Sequence, residues 1–186
     1  MRQAAVVASV VLGMAAGGGC ALWPEPYHEV SYYDWEQPKL PDRFDEEAVK
    51  VSVVNRSPAG QRMLYREADG KIVADEYNKW VQAPNLMLER YLTARLTAAE
   101  LPAGTRLYLN LQQFEINLAT GEVTLAVDYR IKDGKERNGV LSFTAPFAAE
   151  NPAAFAAAFD GCAGRLAQTL IEVIKQPAAL AEKEAK

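Results

Sequence analysis

Two kinds of apolar repeat run along the chain. Residues 48–54, AVKVSVV, alternate apolar and polar positions, the pattern of a half-buried strand. Arg62 to Glu67 and Lys71 to Ala74 flank Ala68-Asp69-Gly70. Asp-Gly between such runs predicts a hairpin. After Pro84 the period lengthens. Met87, Leu88, Tyr91, Leu92 and Leu96 recur at helical spacing, and Pro102 and Gly104 close the segment. Alternation returns in RLYLNLQQFEINL, through Leu107, Leu109 and Leu111, then shifts phase to Phe114, Ile116 and Leu118. A one-residue shift predicts a β-bulge near Gln112–Gln113. EVTLAVDYRI places Val123, Leu125, Val127, Tyr129 and Ile131 on one face. Asp133-Gly134 turns the chain into a third strand through Leu141, Phe143, Ala145 and Phe147. One-sided alternation over three strands predicts an antiparallel meander with part of one face exposed. Asn151-Pro152 then opens a helix whose apolar side is Phe155, Phe159, Cys162, Leu166, Leu170 and Ile174, and Gln176-Pro177 stops it. One sheet with two long helices accommodates every stripe, so the expected class is α/β, largely antiparallel.

The N-terminal region follows another logic. Met1-Arg2-Gln3 is a short basic start, and residues 4–19 carry no charge. This is the form of a secretory signal. The apolar run of about 16 residues is short of the roughly 20 that a spanning helix needs. Its small residues end in Ala16-Gly17-Gly18-Gly19-Cys20, which resembles the cleavage box of bacterial lipoproteins. Gly19 fits that pattern; Gly17 departs from it, since an apolar residue such as Leu is usual there. The resemblance implies a signal peptide over 1–19 and an N-acyl, S-diacylglycerol modification of Cys20. It implies no other cofactor. Ala21 stands where an inner-membrane retention signal would place Asp, which points to the periplasmic face of the outer membrane. An ordinary cleaved signal and an uncleaved anchor are the alternatives. Residues 20–46 are a Pro- and aromatic-rich tether. In it Tyr32, Tyr33 and Trp35 are apolar enough to add a strand or pack on the domain. The domain proper is expected over 47–176, with a frayed tail at 177–186.

Composition narrows the chemistry. The 186 residues carry a net charge of −4, which becomes −5 once residues 1–19 are removed. That balance lacks the basic stripe of a general nucleic-acid binder. One histidine and two cysteines are too few for a Cys/His zinc site. His28 reads as a solvated tether residue, and Cys162 as a small buried hydrophobe rather than a nucleophile. No phosphate loop, nucleophile elbow or histidine pair is present. Asp69, Asp75, Glu76, Asp128 and Asp133 read as turn or strand-surface carboxylates. Asn55-Arg56-Ser57 reads as a loop that matches a glycosylation acceptor by chance. No enzyme is expected.

The stretch from Met63 to Leu96 resembles the ABC-type transport auxiliary lipoproteins, the PqiC-like family. Its marks are Met63-Leu64-Tyr65-Arg66 and Tyr77-Asn78-Lys79-Trp80 followed by Ala83-Pro84. A Tyr-Tyr pair is also present as Tyr32-Tyr33-Asp34-Trp35, with Trp35 where the family has Leu. In layout the likeness runs over most of residues 30–175. It implies a single mixed sheet with helices on both sides, similar to the TolB N-terminal or anticodon-binding-like domain. It also implies a role beside an ABC permease, its ATPase and an MCE-domain protein that carries lipid between membranes. The ATP chemistry then belongs to the partners, and the lipoprotein docks the carrier at the membrane or receives lipid from it. A homo-oligomer is left open. The other readings are an assembly or lipopolysaccharide-transport lipoprotein, and a periplasmic ligand-binding module.

Tyr33, Trp35, Tyr65, Arg66, Tyr77, Asn78 and Trp80 form the candidate partner surface, since Trp, Tyr and Arg are enriched at interfaces. Each also has a structural reading. Trp80 would cap the core before the helix, Asn78 would turn the chain, and Arg66 would pair with a nearby carboxylate.

Overall fold

The computed structural model describes residues 27–36, 38 and 49–176. The signal segment, Cys20 and the C-terminal tail lie outside the described residues. Seven strands and two helices follow in the order β1 (Ser31–Tyr33), β2 (Val49–Asn55), β3 (Arg62–Arg66), β4 (Ile72–Trp80), α1 (Pro84–Thr97), β5 (Thr105–Asn117), β6 (Glu122–Lys132), β7 (Glu136–Pro146) and α2 (Pro152–Lys175). One sheet runs β1-β4-β3-β5-β6-β7, and β2 also pairs with β5. The sheet is mixed. The pairs β1–β4, β2–β5 and β3–β5 are parallel, and β3–β4, β5–β6 and β6–β7 are antiparallel.

The long strand β5 organises the sheet. One side of it takes β6 along its full length. On its other side, Thr105 to Leu111 pairs with β2, while Ile116 and Asn117 pair with Tyr65 and Arg66 of β3. The expected bulge lies between these two stretches, where Leu111 opposes Val127 but Gln113 opposes Ala126. Gln112 is the extra residue, so Leu107, Leu109 and Leu111 before it and Phe114 and Ile116 after it all reach the same buried face.

The hairpin between β3 and β4 turns at Asp69-Gly70, with Gly70 at a φ of +86° that favours glycine. Strand β4 continues past the expected end at Ala74 to Trp80. Its far half carries no apolar alternation, because β1 pairs alongside residues 78–80 and supplies the backbone partners. The tether aromatics do both things expected of them. Tyr32 and Tyr33 lie in β1, and Trp35 is buried in the core.

Both helices begin at proline. The Asn151 side chain accepts the N–H of Ala154 at 2.9 Å and caps α2. Phe155, Phe159, Cys162, Leu166, Leu170 and Ile174 are all buried, as their spacing predicts. A chain of rings joins the helices over the sheet. Trp35 meets Tyr91 of α1 at 6.0 Å and Phe114 of β5 at 5.9 Å, and Phe114 stacks on Phe159 of α2 at 3.9 Å. The helices therefore share one face instead of covering both, which corrects the arrangement that the family resemblance implied. The opposite face explains why. Its row on β5 and β6 is Tyr108, Asn110, Asp128 and Arg130, and the Arg130 guanidinium lies 5.1 Å from the Tyr108 ring centre. That surface has no apolar stripe for a helix to cover.

Candidate partner-binding surface

The β3–β4 pair is irregular. Arg62 opposes Lys79, yet Leu64 opposes Ala74, so residues 75–78 arch out of register. Asp75 closes this arch from within. Its Oδ1 accepts the backbone N–H groups of Tyr77 and Asn78, each at 2.9 Å. Its Oδ2 accepts the Asn78 Nδ2 at 2.8 Å and the Tyr65 hydroxyl at 2.6 Å. Asp two and three residues before the N–H groups it binds is a local side-chain cap of the chain. Burial works against the Asp75 charge, but the bonds from Tyr65, Asn78 and the two backbone amides outweigh it and hold the carboxyl below its ordinary pKa. Burial, and then the bond to Asp75, push the Tyr65 phenol far up, so it remains a donor.

Arg66 is one residue on and points to the other face. Its Nε and Nη2 bind Glu115 of β5 in a two-point fork, at 2.9 and 2.7 Å. Nη1 reaches the Gly70 carbonyl at 3.2 Å, and Gln113 adds a third donor to Glu115. The Arg66 bond leads the effects that keep the Glu115 carboxyl below its usual range. Arg66 thus ties the hairpin turn to β5, beside the parallel Tyr65–Ile116 and Arg66–Asn117 pairs.

The seven candidate residues lie on three neighbouring strands and the turn after β1, and they divide by burial. Trp80 is 1% exposed and Trp35 3%. Trp80 packs edge-on against Phe114 at 5.4 Å and Phe159 at 5.6 Å, so its ring is committed to the core before α1. Tyr33 packs against the same core, and Tyr65 lies beside Phe155 of α2 at 5.8 Å. Tyr77 is exposed, and the His28 ring rests on it at 4.7 Å. Asn78 shapes the arch. Sequence reasoning treated Asp75 as one surface carboxylate among several and had no sign of Glu115. The Asp-x-Tyr-Asn order was the available signal for Asp75. Asp34 also holds the segment after β1 to α1, accepting from Arg90 at 2.6 Å.

Three of the turn and strand carboxylates have structural partners. Asp69 accepts the Lys71 N–H, Asp128 meets Gln112, and Asp133 meets Arg137. Cys162 is fully buried, and burial raises its thiol pKa, against a lesser opposite pull from Arg165. A groove of about 580 Å³ lies between α1 and the β2 edge. Its carboxylate, Glu89, already accepts the Val53 N–H at 2.8 Å. Among the described residues no group of three His, Cys, Asp or Glu side chains could hold a metal, and no helix is long and apolar enough to cross a membrane.

Two solved structures share this architecture. A crystal structure described as an uncharacterized protein superposes with a TM-score of 0.67 at 15% identity, covering 80% of this chain and all of that one. A protein from Xanthomonas campestris gives 0.60 at 17% identity, covering 76% and 92%. At these identities the likeness is one of fold. No curated protein matches the sequence. The family model for the ABC-type transport auxiliary lipoprotein component matches residues 58–170, a span running from before β3 to within α2. The chain belongs to the ABC-type transport auxiliary lipoprotein family.

Proposed function

We propose that this protein is a non-catalytic lipoprotein on the periplasmic face of the outer membrane that docks the MCE-domain carrier of an ABC-type lipid transport system there. The family match over residues 58–170 carries the reading, since it covers every element from β3 to most of α2. The box ending at Cys20 supplies the anchor, and Ala21 in place of Asp supports the outer membrane as its site. Several acyl chains on one residue anchor stably where a single chain is marginal. Anchoring raises the domain's local concentration at the membrane where a carrier must deliver or collect lipid. Asp75, Arg66, Glu115 and Arg137 are each occupied by a structural partner, which suits a docking part whose ATP chemistry resides in its partners.

Labelled palmitate supplied to cells should enter the wild-type protein and be lost in Cys20→Ser, with the variant moving from the membrane to the soluble fraction. Equal labelling and unchanged fractionation of the variant would overturn the anchor.

A further inference from the structure

Three of the large exposed side chains gather at one end of the sheet. Tyr27 is 89% exposed, Tyr32 59% and Tyr77 40%. Tyr32 stands level with Lys79 in the β1–β4 register, and the exposed Tyr77 lies two residues earlier along β4. The His28 ring packs against Tyr77 at 4.7 Å. The neighbouring Tyr33, Trp35 and Trp80 turn inward to the core. What remains outside is a set of rings with apolar bodies and polar tips at one sheet edge.

The chain itself limits what can cover them. Only residues 21–26 separate Cys20 from Tyr27. Fully extended, that connection spans roughly 25 Å. An acylated Cys20 lies at the boundary of the headgroups and the hydrocarbon, so the patch is held within one short tether of that layer. Tyrosine rings at the headgroup level place their bodies against lipid and their hydroxyls in water. We propose that Tyr27, His28, Tyr32 and Tyr77 form an aromatic platform that rests on the phospholipid headgroups and fixes the orientation of the domain. This rests on the lipid-anchor reading above. The platform turns the β1–β4 edge to the membrane and the β7 edge away from it, because the two strands lie at opposite ends of the sheet.

The test uses acylated protein purified from membranes and returned to phosphatidylethanolamine–phosphatidylglycerol vesicles. Variants Tyr32→Cys, Tyr77→Cys and Val140→Cys each carry an environment-sensitive nitrobenzoxadiazole dye, while Cys162 stays buried and unlabelled. Val140, on β7, is 71% exposed and serves as the distant site. Headgroup spin-labelled lipid should quench the dye at 32 and 77 by roughly half or more and leave the dye at 140 unaffected, as the depth of an interfacial residue requires. Equal quenching at all three sites, on protein that floats with the vesicles, overturns the platform and leaves the anchor standing. Protein that does not float overturns the anchor itself. A dye at 32 that lipid does not quench, but that an added MCE domain shields from water, assigns the patch to a protein partner and overturns the platform.

Discussion

Asp75 draws four donors onto two oxygens, and with them it shapes a stretch of strand that has no apolar pattern of its own. Tyr65→Phe removes one donor and leaves the carboxylate in place. The variant should lose about 1.5–3 kcal/mol, the worth of a hydrogen bond to a charged group, read from urea unfolding with an unchanged m-value. Asp75 and Glu115 are both held below their ordinary pKa. A depressed carboxyl contributes stability that is complete above the unfolded pKa, about 4, and is lost as the pH falls through the lower folded value. Stability should therefore decline on the acid side, and Arg66→Met should flatten that decline while lowering stability at neutral pH. An unfolding series from pH 7 to pH 3 checks both. Sequence reasoning anticipated a carboxylate for Arg66 and the burial of Trp80. It could not name Glu115, which lies 49 positions away and meets Arg66 only because β3 runs parallel to the end of β5.

At the level of elements, local chemistry was the best guide. The Asp-Gly turn at 69–70, the phase shift at Gln112–Gln113 and the Asn151-Pro152 helix start each act through a few adjacent residues, and each is where its pattern placed it. Asn151→Ala deletes the cap on the Ala154 N–H and should cost about 1 kcal/mol, or roughly 3 °C in Tm by calorimetry. The far half of β4 was not legible. Asp75 to Lys79 have no apolar alternation, and the strand that pairs with residues 78–80 is a three-residue segment of the tether, more than 40 positions earlier. Parallel pairings have no turn to announce them, so the three in this sheet were beyond periodicity alone.

Over the whole molecule, a meander with two helices was readable from apolar stripes, while the shared helix face was not. That choice follows from the polar row of Tyr108, Asn110, Asp128 and Arg130, which stripes counted one strand at a time do not reveal. The most direct measurement is co-purification of the acylated, full-length protein from its native membranes in mild detergent, with the bound proteins identified by mass spectrometry. The account predicts recovery of an MCE-domain protein together with the permease and ATPase of an ABC system, and loss of that recovery with Cys20→Ser. Recovery of a β-barrel assembly or lipopolysaccharide-transport protein with no MCE-domain partner would contradict it.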